Sequence, residues 1–238
     1  VRRIVIITAA LIMVLPAPAW GGLRASSLPV AGPDETVLFQ DTFSGYPRRV
    51  GWQDGKSYGG WDAVYNGYGR VDIRNTNPLM YQAPRAATKP SDTHASLAVT
   101  KSDFSALDLA VDTKTINHLR TPVPNPWETA WVLWHYKDDL HFYYFIAKPN
   151  GWELGKEDPA YPGAQRFLAT GNSPRFPIGK WYRIRVQQIG NQMTVWVDGK
   201  KIVSFVDSER PYLSGKVGLY NEDAAVTFDN VSVSLPLP

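Results

Sequence analysis

From Thr36 onward, apolar and polar positions alternate with a period of two, as in strands with one face in a core and one in water. Val37, Phe39, Asp41 and Phe43 share one parity, which sets a carboxylate among apolar neighbours. Residues 44–70 are rich in glycine and aromatics (Trp52, Trp61, Tyr65, Tyr68) and read as loop. Short strands are predicted near 70–74, 78–83, 95–100 and 105–115, while the Pro-rich stretch 122–126 permits only a loop. A meander follows: strand 129–136, turn 137–139, strand 140–148, turn 149–151, strand 152–156. Its first two strands are apolar on both faces, which puts them in the middle of a sheet. Strands 181–189, 192–197 and 201–206 are joined by Gly190-Asn191 and Asp198-Gly199, whose positive φ suits tight hairpins. Strands 216–220 and 225–235 complete the run. In the last, Val226 and Phe228 hold one phase and Val231 and Val233 the other, so a bulge is expected at Asp229-Asn230. With helical periodicity nearly absent, the pattern predicts an all-β protein, a two-sheet antiparallel β-sandwich or jelly roll forming one domain over 36–238.

The first residues follow a different rule. Arg2 and Arg3 precede an apolar run over 4–15 and the small-residue site Ala17-Pro18-Ala19, the layout of a signal peptide cleaved after Ala19. The run is shorter than the roughly 20 residues of a membrane span, so no span is expected in the mature form. Residues 20–35 read as a linker, and the mature protein is expected to be secreted or periplasmic. Full length carries 25 basic and 22 acidic side chains; without Arg2 and Arg3 the balance is 23 to 22, which leaves no basic excess for nucleic acid. Cysteine is absent, which removes thiolate metal sites and cysteine nucleophiles. Aromatics make up 13% of the chain, which suits a large β core or stacking on sugars.

Several strings carry a resemblance. LFQDTFSG at 38–45 is similar to the opening strand of concanavalin A-like lectins and glucanases, and FDNVSV at 228–233 to their closing strand. GKWYRIRV at 179–186, VWVDGK at 195–200 and GKVGLY at 215–220 resemble segments of laminin-G-like and glucanase-like domains. The resemblance implies a concanavalin A-like jelly roll and an extracellular glycan or polysaccharide as partner, with a monomer expected. It does not fix an activity, since this fold hosts binders, hydrolases and lyases. The glucanase Glu-x-Asp-x-Glu motif, which would put two carboxylates on one face of a central strand, has no counterpart in WVLWHY at 131–136. The Gln-Ile-His motif of alginate lyases is also missing.

The candidate chemistry lies on the meander. His135 and His141 flank its first turn and are expected to face each other across the ladder, with Tyr143, Glu153 and Arg166 nearby. Such a set can bind sugar hydroxyls or perform acid–base catalysis. Two histidines with no third ligand make a poor zinc site. The acidic stretch 153–158 reads as a solvated strand end. Trp52 and Trp61, with Tyr65 and Tyr68, either stack on sugar rings or plug the sandwich edge. The resemblance further implies structural calcium (Ca2+) held by Asp229, the Gly45 carbonyl and Asp41. A buried Asp41 calls independently for a cation or hydrogen-bond donors. Three functions stay open: a carbohydrate-binding domain, which is favoured; a glycoside hydrolase or polysaccharide lyase using His135, His141, Tyr143 and Glu153; and an interaction domain without a sugar ligand.

Overall fold

The computed structural model describes residues 36–89 and 91–237; the expected leader and linker lie outside the described residues. Two antiparallel sheets, here I and II, form a sandwich. Along the chain run β1 (Val37–Asp41), β2 (Lys56–Tyr58), β3 (Trp61–Tyr65), β4 (Arg70–Arg74), β5 (Leu79–Ala83), β6 (Ala95–Thr100), β7 (Leu107–His118) and β8 (Ala130–Asp138). Then come β9 (His141–Lys148), β10 (Gly151–Glu157), a short 3-10 turn (Pro162–Ala164), β11 (Gln165–Gly171), β12 (Tyr182–Ile189), β13 (Gln192–Val197), β14 (Lys200–Val206), β15 (Lys216–Glu222) and β16 (Ala224–Ser234). Sheet I has the order β14-β13-β12-β7-β16-β5-β4, with β1 also on β16; sheet II has the order β11-β10-β9-β8-β15-β6-β3-β2. No helix among the described residues is long and apolar enough to cross a membrane.

Alternation decides what each sheet hides. Ala130, Val132 and Trp134 of β8, Tyr143 and Phe145 of β9, and Leu154 of β10 point inward and meet Val111, Ile184, Val195 and Phe228 of sheet I. Each large side chain so buried contributes about 1.5–3 kcal/mol. The other parity of sheet II forms a second apolar cluster, which includes Leu97, Trp131, Leu133, Phe142 and Tyr144. Both faces of β8 and β9 are therefore apolar for two different reasons.

The predicted slip in the closing strand is present: the pairing of β16 with β7 shifts between Asp229 and Ser232, and Asn230 has φ 48°. The slip lets β16 pair β5 through Val226–Phe228 and β1 through Val231–Ser234. Strands β2 and β3 lie in the stretch read as loop, because frequent glycines there hid two short pairings. Strand β11 was not anticipated.

Candidate functional site

The outward face of sheet II carries a groove of about 440 Å³. Its lining is aromatic: Trp131, Phe142 and Tyr220, with Tyr65 and the more exposed Trp127 and Phe167, over the fully buried Tyr144 of the same apolar cluster. Trp131 and Tyr144 lie 4.9 Å apart, and Trp131 meets Tyr220 edge-on at 5.1 Å. Glycines make room for the rings. A Cβ at Gly155 would sit 2.3 Å from the Tyr144 hydroxyl, so that ring lies across the bare backbone of β10.

Four carboxyl groups line the groove: Asp139, Glu153, Glu157 and Glu222. Three are tied down. Tyr136 donates to Asp139 at 2.9 Å. Glu153 accepts from Tyr144 at 2.9 Å and from the Lys148 ammonium at 2.7 Å, and Gln165 in turn donates to the Tyr144 hydroxyl. Tyr220 donates to Glu222 at 2.7 Å.

Glu157 is different. Its carboxyl has neither a hydrogen bond nor an ion pair with any described residue. Burial, with the charge of Glu222 as a second cause, pushes it up to about 7. Glu222 is also raised, by burial first; the Tyr220 hydrogen bond and Arg120 oppose this, while Asp223 and Glu128 add to it. The two carboxyls sit on β10 and β15, three strand spacings apart, or roughly 14 Å between backbones. Two carboxyls of raised proton affinity thus share the groove, and the one held at about 7 is poised for proton transfer near neutrality.

The structure redistributes the residues expected from the sequence. Glu153 lies in the groove. His135 does not face His141, because the β8–β9 pairing shifts between Trp134 and Asp138 and brings Asp138 opposite His141. His135 takes φ 50° in that bulge, nested against Gly215, where a Cβ would come 2.5 Å from the His135 backbone. Its ring is buried, with Nδ1 2.8 Å from the Tyr212 carbonyl and Nε2 2.9 Å from that of Ser105; burial lowers its proton affinity. His141 pairs with Asp138 at the hairpin end. Tyr143 points into the inter-sheet core and donates to Asp207 at 2.6 Å. Arg166 has the opposite parity to Gln165 and Phe167; it donates to Tyr161 and reaches Glu209 at 3.1 Å.

Trp52 and Trp61 are buried, so of the two roles open to them they take the edge plug: Trp52 stacks on Tyr58 at 4.7 Å, and Trp61 packs on Phe39 and Phe43. Trp61 Nε1, the Tyr46 hydroxyl and the Phe43 amide all donate to Asp41, at 2.8, 2.6 and 2.6 Å. Asp41 thereby meets the cost of its partial burial with neutral donors. Asp229 accepts from the Asn230 amide at 2.7 Å. Among the described residues, no three His, Cys, Asp or Glu side chains form a metal-binding group.

Sequence reasoning passed over Glu157 and Glu222 as site residues. A signal for the first was available: Glu153, Gly155 and Glu157 alternate along β10 and must share a face. The inward Lys156 between them made the run look like a solvated strand end.

Solved structures with this fold include the carbohydrate-binding module CBM66 from Bacillus subtilis (17% identity, 74% of this chain and 95% of that chain, TM-score 0.55). A non-specific endo-β-1,3(4)-glucanase of family GH16 matches at 13% identity over 87% of this chain and 94% of that one, TM-score 0.54. A family 16 endo-glucanase from Bacteroides ovatus matches at 10% over 83% and 100%, TM-score 0.53. These likenesses establish the concanavalin A-like lectin/glucanase fold. A search of curated proteins finds no match. The sequence profile of one family covers residues 50–234, the span that holds every groove strand, and the chain belongs to that family: the 3-keto-alpha-glucoside-1,2-lyase-like domains.

Proposed function

We propose that the groove on sheet II takes a glycoside and cleaves it by acid–base chemistry, with Glu157 as the acid and Glu222 as the base. The observation that carries this reading is Glu157 itself, a half-buried carboxyl without a partner among the described residues, pushed up to about 7 in a groove shared with Glu222. A free carboxyl of this affinity is matched to proton transfer at neutral pH. The family description favours elimination on a 3-oxo-glucoside. The 3-oxo group acidifies the C2 hydrogen, Glu222 takes that proton, the C1–C2 double bond forms as the C1–O bond breaks, and Glu157 protonates the departing oxygen. The aromatic floor supplies stacking for the ring.

The test is incubation with a 3-oxo-glucoside while the ultraviolet band of the conjugated enone product is followed. Because the acid must hold its proton, the rate is expected to fall as pH rises through about 7. A flat profile across that range removes Glu157 from the acid role. The second reading, a binding module, is favoured by the aromatic floor alone; saturable sugar binding with no product from any glycoside would select it. Within either reading, calcium at Asp229 and the Gly45 carbonyl is a separate proposal, supported by the buried bulge at Asp229–Asn230. It requires a higher melting temperature in calcium than in chelator, and identical melting would remove it.

A further inference from the structure

One exposed aromatic stands apart from the groove floor. Tyr68 lies in the turn between β3 and β4 and is 78% exposed, on a backbone with φ 59° that non-glycine residues rarely adopt. Its surroundings are ordered around it. The Arg85 guanidinium sits over the Tyr68 ring, 4.9 Å from its centre, and His94 meets that ring edge-on at 5.7 Å. His94 fixes Arg85 at two points: Nδ1 donates to the Arg85 carbonyl at 2.6 Å, and Nε2 accepts from Nη2 at 3.5 Å. The loop itself is clamped. The Arg85 amide donates to the Gly67 carbonyl at 2.9 Å, and a Cβ on Gly67 would come 2.4 Å from the Ala95 carbonyl. Among the described residues, Arg85 has no carboxylate partner.

Strand register ties this trio to the groove. Ala95 pairs with Glu222, and the amide of Asp223 donates to the His94 carbonyl at 2.9 Å. The platform therefore stands just beyond the row that carries the base. A strained, exposed ring held in place by a cation without its own anion is spending conformational energy on presentation, which is characteristic of a recognition site.

We infer that Tyr68, Arg85 and His94 form a rim subsite for a sugar ring bearing an anionic group, with the ring on the open face of Tyr68 and the anion on Arg85. This inference rests on the groove being a glycan site and narrows the ligand. Glu222, which must be ionised to act as the base, disfavours an anion in the groove, whereas Arg85 favours one at its end. The preferred glycan is thus neutral in the middle and acidic at one terminus.

The test uses the full chain and three tetrasaccharides of the cellotetraose type: neutral, with glucuronate at the non-reducing end, and with glucuronate at the reducing end. Titration calorimetry should show one of the two acidic forms binding about tenfold tighter than the neutral one. Arg85→Gln should erase that preference, and Tyr68→Ala should weaken all three sugars, with melting temperatures unchanged because both side chains are exposed. Equal binding of acidic and neutral forms, or a preference that survives Arg85→Gln, overturns the subsite and leaves the groove standing. If none of the three binds the wild type, the groove reading itself fails, and the subsite with it.

Discussion

Glu157→Gln should leave sugar binding nearly intact and lower kcat by roughly 10²–10⁴-fold, the usual contribution of one positioned acid. The same substitution should make the protein more stable in mild alkali. The proton affinity of the folded state is raised here, so the stabilisation is full below the unfolded carboxyl range and is lost as pH rises through about 7. At pH 8 the wild type holds an ionised carboxylate in an apolar groove near Glu222, and Gln removes that charge. After allowance for solvent screening at a half-exposed site, the gain is on the order of 1 kcal/mol. At pH 4 the two proteins should melt together. Thermal unfolding at both pH values, beside turnover and binding, checks the prediction; lost turnover with a uniform fall in stability would mean that Glu157 only supports the fold.

A larger stability effect is expected one residue earlier in β10, on its inward face. Lys156 is fully buried, and its ammonium donates to Asp207 at 2.8 Å and to the Glu209 and Arg210 carbonyls, with Asp158 at 3.4 Å. Asp207 also accepts from Tyr143 and from the Glu209 amide. Burial pushes the Asp207 carboxyl up, but the Lys156 and Tyr143 hydrogen bonds more than offset this and hold it below the usual range. Its stabilisation is present above the ordinary aspartate range, near pH ~4, and is lost as pH falls through the depressed folded value. Asp207→Ala strands an ammonium in the core and should cost about 3–5 kcal/mol. Adding Lys156→Met should recover most of the loss, since an apolar side chain needs no counter-charge there. Urea unfolding of both variants decides it. A loss under about 1 kcal/mol, or no recovery in the double variant, would show that solvent reaches the pair.

The fold could be read from the sequence wherever alternation was clean. Strands β12 and β13 and the bulge in β16 fall where period and turn chemistry put them. The groove could be read only in part, because an aromatic floor and an aromatic core give the same string. In β8, Trp131 and Leu133 face the groove while Val132 and Trp134 face the core, and nothing in WVLWHY separates the two uses. His135 and Tyr143 attracted attention as polar groups near neutral chemistry, yet one is consumed by backbone carbonyls and the other by Asp207. A parity argument needs a register, and the bulge at His135 breaks it where the candidate residues lie. Glu222 could be recognised only through its pairing with distant Ala95.

The position of β16 governs the order of events on the ribosome. It lies between β7 and β5 and also carries β1, yet among the described strands it is translated last. Until Ser234 has emerged, three earlier strands have no partner along that seam, and sheet I stays in three pieces with raw edges. The nascent chain is thus kept from settling until synthesis has passed the final strand. A truncation before residue 224 should yield a sticky, protease-sensitive chain rather than a smaller folded protein.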